Sequence, residues 1–215
     1  MFYSQDGQDK YLEKNIFKGF KNGIFIDVGA HDGITLNNTL YFEKNNNWVG
    51  MNIEPINSVY EKLIKNRPKC ININCAVSKT EGYLEFILNT GYTEMLSGLK
   101  HCYDKRHSNR LEKENNMTKS TTKIINVPTK KLETLFTENN IQTVNYLSID
   151  VEGGEFDVIQ SINFDKVFID VIGFENNYDD VSIPIVKFLE NKNFTVIYKC
   201  MDIFMINNNS NFKDN

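Results

Sequence analysis

Apolar positions along the chain change period repeatedly, and the changes mark out elements. Between residues 8 and 20, Tyr11, Leu12, Ile16 and Phe20 fall near one helical stripe. Residues 23–28, GIFIDV, are apolar almost throughout, as in a strand buried on both faces. Helical spacing from Gly33 to Asn46 gives way to a second strand at 48–54. Pro55 suits the first turn of a further helix, which runs to about Asn66. The stretches CININCAV (70–77) and YLEFIL (83–88) read as strands on either side of a Ser-Lys-Thr-Glu-Gly turn. Strands at 122–129, 144–150 and 167–175 then alternate with helical segments at 130–140, 154–162 and 183–192. Residues 194–199 and 202–207 face each other as a hairpin, and 208–215 reads as a frayed tail.

The rhythm fails over 90–123, which is polar, charged and weakly patterned; it reads as a loop-like lid or insertion on one domain spanning 1–207. Strand–helix alternation predicts an α/β fold: a single doubly wound, mostly parallel sheet that ends in the antiparallel hairpin. Ligands in such sheets bind beyond the carboxyl ends of the strands. The positions that matter are therefore 27–33, 54, 74–76, 150–153 and 175–177.

Composition narrows the partners. A chain of 215 residues suits one sizeable domain. Its net charge of −4 argues against nucleic acid, which selects a basic face. No apolar run approaches the ~20 residues that span a bilayer, and the N-terminus lacks the order of a signal peptide. The four cysteines form no C-x-x-C and no zinc pattern with the histidines. A soluble, cytoplasmic protein is expected, without membrane or nucleic-acid partners; the oligomeric state is open, with a homodimer as one option.

The chemistry starts at FIDVGAHDG, residues 25–33. Gly29 and Gly33 permit a sharp turn and close approach to a ligand, and helix N–H groups after the turn would meet an anion or carboxylate. Asp27 offers an acceptor to an ammonium. Glu54, at the tip of the next strand, offers two oxygens to ribose hydroxyls. A glycine turn followed by an acid after the second strand recognises a nucleoside. NAD is the first rival, but Gly29-Ala30-His31-Asp32-Gly33 lacks the middle glycine of G-x-G-x-x-G, and Asp32 would repel a pyrophosphate. S-adenosylmethionine carries a sulfonium and an ammonium and no phosphate, so it suits the acidic turn better.

These blocks, taken in order, resemble the FkbM family of methyltransferases: Ser4-Gln5-x-Gly7-Gln8-Asp9, FIDVGAHDG, Asn37-Asn38-Thr39-Leu40 with Glu43, Trp48-Val49-Gly50, Ile53-Glu54-Pro55, Asn74-Cys75-Ala76-Val77 and LSIDVEGGEFDVI (147–159). The likeness runs from about residue 4 to 176. It implies a Rossmann-like class I methyltransferase fold with a seven-stranded sheet, and O-methylation of a carbohydrate or another small hydroxylated substrate. By the same resemblance Asp27, Gly29, Ala30, Gly33 and Thr39 would contact S-adenosylmethionine, Glu54 its ribose, and Cys75–Ala76 its adenine; Gln5 would close over it. His31 departs from the glycine many such turns carry, and Met95-Leu96-Ser97-Gly98 echoes only loosely the serine pair typical of the middle region.

At the reacting end, YLSIDVEGGE and IGFENNY place Asp150, Glu152, Glu175 and Asn176 after adjacent strands. Asp150, Glu175 and the Asn176 amide oxygen form a hard-oxygen set suited to Mg²⁺ or Mn²⁺. A similar acidic trio binds magnesium in catechol-type O-methyltransferases. A hydroxyl nucleophile needs such a metal or a general base, and the candidate catalytic residues are Asp150, Glu152 and His31, with His101 or His107 as bases from the lid. Lys100, Lys105, Arg106, Arg110 and Lys113 stand out as cations able to clasp an anionic substrate. Three rival readings remain: a protein that binds the cofactor without catalysis, a nucleotide-sugar binding module using the same crevice, and an NAD-dependent oxidoreductase.

Overall fold

Continuous apolar runs become the inner strands of a seven-stranded sheet. A computed structural model describes residues 1–214. Its main sheet contains β1 (Ile24–Val28), β2 (Val49–Ile53), β3 (Ile71–Ile73), β8 (Thr143–Ile149), β9 (Phe168–Glu175), β10 (Phe194–Lys199) and β11 (Asp202–Asn207), in the order β10-β11-β9-β8-β1-β2-β3. The five strands from β9 to β3 are parallel; β11 runs antiparallel to β9, and β10 to β11. This is the α/β architecture expected, including the terminal hairpin.

Both faces of the sheet are covered, as parallel sheets require. On one, α5 (Leu132–Glu138), α6 (Glu155–Gln160) and α7 (Asp179–Glu190) bury Leu132, Leu135, Val158, Ile185 and Leu189 with Ile26, Leu147 and Ile172. On the other, α1 (Gln8–Leu12), its π-helical continuation Glu13–Phe17 and α2 (Leu40–Asn46) pack Leu12, Phe17 and Phe42 with Phe25, Tyr146 and Phe204. No helix among the described residues is long and apolar enough to cross a membrane.

The expected strand 70–77 breaks into two pieces that serve different sheets. After β3, the Asn74 side chain donates to the carbonyls of Glu54 at 2.8 Å and Pro55 at 3.2 Å. The chain then leaves the main sheet, and β4 (Ala76–Val77) joins a second one. That sheet, unforeseen from the sequence, has the order β4-β7-β5-β6, built with β5 (Gly82–Thr90), β6 (Gly98–Leu99) and β7 (Thr121–Lys130). The segment 90–123 is not a structureless loop. It holds 3-10 turns at Gly91–Leu96 and Lys100–Cys102 and the helix α4 (Lys105–Thr118), capped by Asp104, whose side chain accepts the Arg106 N–H at 2.6 Å. Only His107 and Leu111 of α4 are buried, so its apolar stripe is too thin to register as a helical period.

The helix expected from Gly33 begins only at Leu40. Side chains capture the N–H groups that would have started it. Asp32 accepts from Ile34 at 2.9 Å and Thr35 at 2.7 Å, and Asn37 from Thr39 at 3.0 Å and Leu40 at 2.8 Å. Arg67, completely buried at the end of α3 (Asn57–Asn66), holds this loop. Its guanidinium donates to the Gly33 carbonyl at 3.1 Å, to Asn37 at 3.1 Å and to Thr39 at 3.2 Å, pairs with Glu43, and rests over the Phe25 ring. The expected frayed tail is also anchored: Ser210 donates to Asp170 at 2.5 Å, and the Phe212 ring meets Phe17 and Phe20 edge-on. Residue 215 of that expected tail lies outside the described residues.

Removing the guanidinium strands a partly buried carboxylate and three acceptors. Arg67→Met is expected to lower the unfolding free energy by roughly 3–5 kcal/mol, read from urea denaturation; a loss under about 1 kcal/mol would show that the loop holds without it.

Candidate functional site

The tips of β1, β2, β8 and β9 open on one cleft of about 500 Å³. They end level because Asp27 lies opposite Asn52 on one side and Ser148 on the other. Phe86 and Leu99 of the second sheet, Glu94–Leu96 of the first 3-10 turn and Arg110 of α4 line the cleft from the inserted half of the chain.

Gly29 has φ +87°, and a Cβ there would sit 1.8 Å from the Asp150 carbonyl oxygen. Its first role is thus to let the tips of β1 and β8 meet. A Cβ on Gly33 would strike Leu63 and Arg67, both at 2.6 Å, and Gly33 does not line the cleft. Thr39 is fully buried behind Asp27 and does not line it either. Direct cofactor contact by Gly33 and Thr39 is therefore corrected: one packs against α3, and the other positions Asp27. The N–H groups after the turn, expected to meet a ligand anion, are taken by Asp32.

Asp27 Oδ2 accepts from Asn37 and from Thr39, each at 2.8 Å. Burial still raises its carboxyl above the usual range, against these bonds and the Arg67 charge. Glu54 accepts the N–H of Ile56 at 2.7 Å and of His31 at 3.1 Å. Burial pushes it up to about 7 despite both bonds. Gln5, Ala30, Cys75 and Ala76 line the same region. His31 is left-handed at φ 49°, and its Nε2 lies 3.3 Å from Glu94, so the ring ties the glycine turn to the roof.

The other end is crowded with acids. Asp150, Glu152 and Glu175 each bring one oxygen into a group whose members all lie within 4.8 Å of one another. Glu152 reaches it from a left-handed backbone, φ 56°, rarely adopted by such a residue. Glu152 Oε2 and Glu175 Oε2 are buried without a hydrogen-bond partner. His107 Nδ1 is 3.6 Å from Glu152 Oε2, beyond hydrogen-bond reach. Asp150 opens into the cleft, yet protein surrounds the cleft on most sides. This setting, with Asp202, Glu155 and Asp27 near, pushes Asp150 up to about 7. Glu152 and Glu175 are raised by burial first and by neighbouring carboxylates second. Glu155, the first residue of α6, accepts the N–H of Gly153 at 3.0 Å and so holds the turn that follows Glu152.

Asn176, expected beside Glu175 as a metal ligand, is not in the lining. Its backbone N–H donates to Met201 at 2.8 Å and its side chain to Asp179 at 3.3 Å, whereas Glu175 and Asn177 do line the cleft. The Asn176 amide oxygen is itself buried without a hydrogen-bond partner. The three-oxygen group is Asp150, Glu152 and Glu175.

Sequence reasoning missed Asp202, which pairs with Glu175 in the β11–β9 ladder and lines the cleft. Counting the hairpin's register back from β9 would have found it. Glu94 was hidden in the misread 90–123 segment, whereas Arg110, singled out among the cations of that segment, does line the cleft. Among the described lining residues, Arg110 is the single arginine or lysine. Of the other lid cations, Lys100 pairs with Glu85 at 3.0 Å, and Arg106 bridges Asp104 and Asp180 over the Tyr178 ring. His101 bonds Asp157 outside the cleft.

A solved structure titled precorrin-6y C5,15-methyltransferase, from Geobacter metallireducens GS-15, is similar at 11% identity and TM-score 0.47, with 94% of this chain and 86% of that chain covered. No curated protein matches the chain. Residues 27–196, from the glycine turn to the hairpin, match the family described as Methyltransferase FkbM domain. The chain belongs to the FkbM methyltransferase family.

Proposed function

We propose that this methyltransferase moves the methyl group of S-adenosylmethionine to a hydroxyl of a sugar or a similar small acceptor, with a divalent cation at Asp150, Glu152 and Glu175. The observation that carries the reading is the cleft itself: two nucleoside-facing acids at one end, and at the other three convergent carboxylates, two of which present buried oxygens with no partner.

Both absent groups fit the residues present. Glu54 keeps one N–H bond on each oxygen, leaving lone pairs for ribose hydroxyls. Both protein bonds to Asp27 fall on Oδ2, leaving Oδ1 for an ammonium. The sulfonium supplies an electrophilic carbon, and a divalent cation would lower the pKa of a bound hydroxyl. Bringing three carboxylates so close together, with Glu152 buried and Glu175 partly so, costs free energy that a cation offsets. Asp150 opens to the cleft, where burial and the neighbouring carboxylates raise its carboxyl above the usual range; with a cation bound it would act as a ligand, and without one it could take the proton of the acceptor hydroxyl. Phe86, Leu96 and Leu99 exclude water from the roof side. With one arginine facing many acids, the lining favours a neutral, hydroxylated acceptor over an anionic one. The dinucleotide rival has no support from the family, and an acidic cleft of this kind is ill suited to a nucleotide sugar.

Calorimetric titration is expected to give heat with S-adenosylmethionine and none with NAD. Since Glu54 loses its proton near 7, affinity for S-adenosylmethionine should tighten as the pH rises from ~6 to ~8. Glu54→Gln should flatten that profile and weaken binding about tenfold; a wild-type slope in the variant would remove Glu54 from the ribose site.

Asp150→Asn is expected to cut turnover by roughly 10²–10⁴ in a methyl-transfer assay over a panel of glycans, with cofactor affinity held within about threefold. Treatment with EDTA should silence the wild-type enzyme and Mg²⁺ or Mn²⁺ restore it. Full activity in EDTA would leave Asp150 as a general base alone.

A further inference from the structure

A second cluster of donors lies away from the cleft. His101 Nε2 is 3.0 Å from Asp157 Oδ2 and 3.4 Å from Cys102 Sγ. The three donor atoms all fall within 4.8 Å of one another. None of these residues lines the cleft, and the proposed methyl transfer uses none of them.

We propose that His101, Cys102 and Asp157 form a second metal site, selective for a thiophilic or borderline divalent ion such as Zn²⁺, that clamps the inserted segment onto α6.

One nitrogen, His101 Nε2, faces two neighbours. A proton on His101 Nε2 can be donated to Asp157 or to the sulfur, but not fully to both. With the proton on Nδ1 instead, the bare Nε2 lone pair faces the carboxylate. An Nε2 proton satisfies Asp157, which Lys79 and Ser78 also serve, and leaves the sulfur without a strong partner, whereas a cation between the three would draw a lone pair from each. In a tetrahedral site with zinc–ligand bonds of ~2.0–2.3 Å, neighbouring ligand atoms stand ~3.3–3.7 Å apart; the 3.4 Å sulfur–nitrogen pair falls in that range, and the 3.0 Å nitrogen–oxygen pair would open by a few tenths of an ångström to admit the ion. Asp157 can serve without losing its other contacts. Lys79 holds Oδ1 at 2.9 Å, while Ser78 donates to Oδ2 at 3.2 Å and would fix its orientation. One imidazole, one thiolate and one carboxylate balance a divalent charge and leave a fourth position open.

The donor set also separates this site from the cleft. Three carboxylates select a hard ion, whereas sulfur and imidazole select a softer one. The location gives the site a consequence. His101 and Cys102 form the 3-10 turn between β6 and α4, and Asp157 belongs to α6. The Cys102 carbonyl is packed so close to Gly153 that a Cβ there would lie 2.9 Å from it. An ion at this point would brace the Gly153–Gly154 turn from behind, and the same turn follows Asp150 and Glu152.

The test is a titration of the full-length, metal-stripped protein with Co²⁺, followed by competition with Zn²⁺. The expected result is one equivalent with a sulfur-to-cobalt charge-transfer band that Zn²⁺ abolishes. Cys102→Ser should lose the band, with its fold checked by circular dichroism. His101→Ala, at a half-exposed side chain, should weaken binding at least about tenfold. Asp150→Asn and serine variants of Cys70, Cys75 and Cys200 should keep the band. No thiolate band, a band that survives in Cys102→Ser, or unchanged affinity in His101→Ala would overturn the proposal. Because the band reports sulfur ligation, its absence leaves the all-oxygen site and the methyl-transfer reading to be judged by their own assays.

Discussion

The site depends on how closely two parallel strand tips can approach. Gly29 leaves no side chain between β1 and the Asp150 carbonyl, and the Asp150 N–H donates to Val28 at 2.9 Å. Any Cβ at residue 29 would force the tips apart and tilt Asp150 away from Glu152 and Glu175. The glycine of a nucleoside-binding turn is commonly explained by ligand approach. Here the tighter demand comes from the protein's own backbone, and the ligand-facing geometry follows from it.

Charge is the second constraint. Asp27, Glu54, Asp150, Glu152, Glu175 and Asp202 lie around one partly desolvated space, and burial raises every one of them. Such an arrangement destabilises the empty fold, since each carboxylate must either hold a proton or meet a cation. Among the described residues that line the cleft, Arg110 is the single arginine or lysine, and it pairs with Glu114. Arg67 is committed to the loop before α2, and Arg106 to the contact between α4 and α7. The cleft therefore reserves its negative charge for what enters it. Stability has been given up at the site and recovered in the two aromatic and aliphatic cores on either side of the sheet.

The inserted half of the chain supplies the roof. Its four-stranded sheet and α4 bring Phe86, Leu99, Arg110 and Glu94 over the strand tips, and His31 and Glu94 connect turn to roof. Phe86, Leu99 and Val127 of the roof share one hydrophobic cluster with Ile56 and Val59 at the start of α3, which packs the roof against the main sheet's own helix layer.

Strand periodicity and the order of the acidic and glycine motifs were legible from residues alone, because each is a local property. GIFIDV declares a doubly buried strand wherever it sits, and an acid at a strand's end lies at the ligand edge of a parallel sheet. Those signals delivered the main sheet, the hairpin, and Asp27, Glu54, Asp150, Glu152 and Glu175. Tertiary structure decided everything that needed two distant segments at once. Arg67 and Asp32 turned an amphipathic pattern at 33–39 into a loop, by satisfying N–H and carbonyl groups that a helix would otherwise have used. The split of 70–77 between two sheets and the entry of Asp202 both follow from strand pairing, which no local period encodes. Backbone hydrogen bonds can be satisfied in several ways by the same residues, and only the packed chain selects among them.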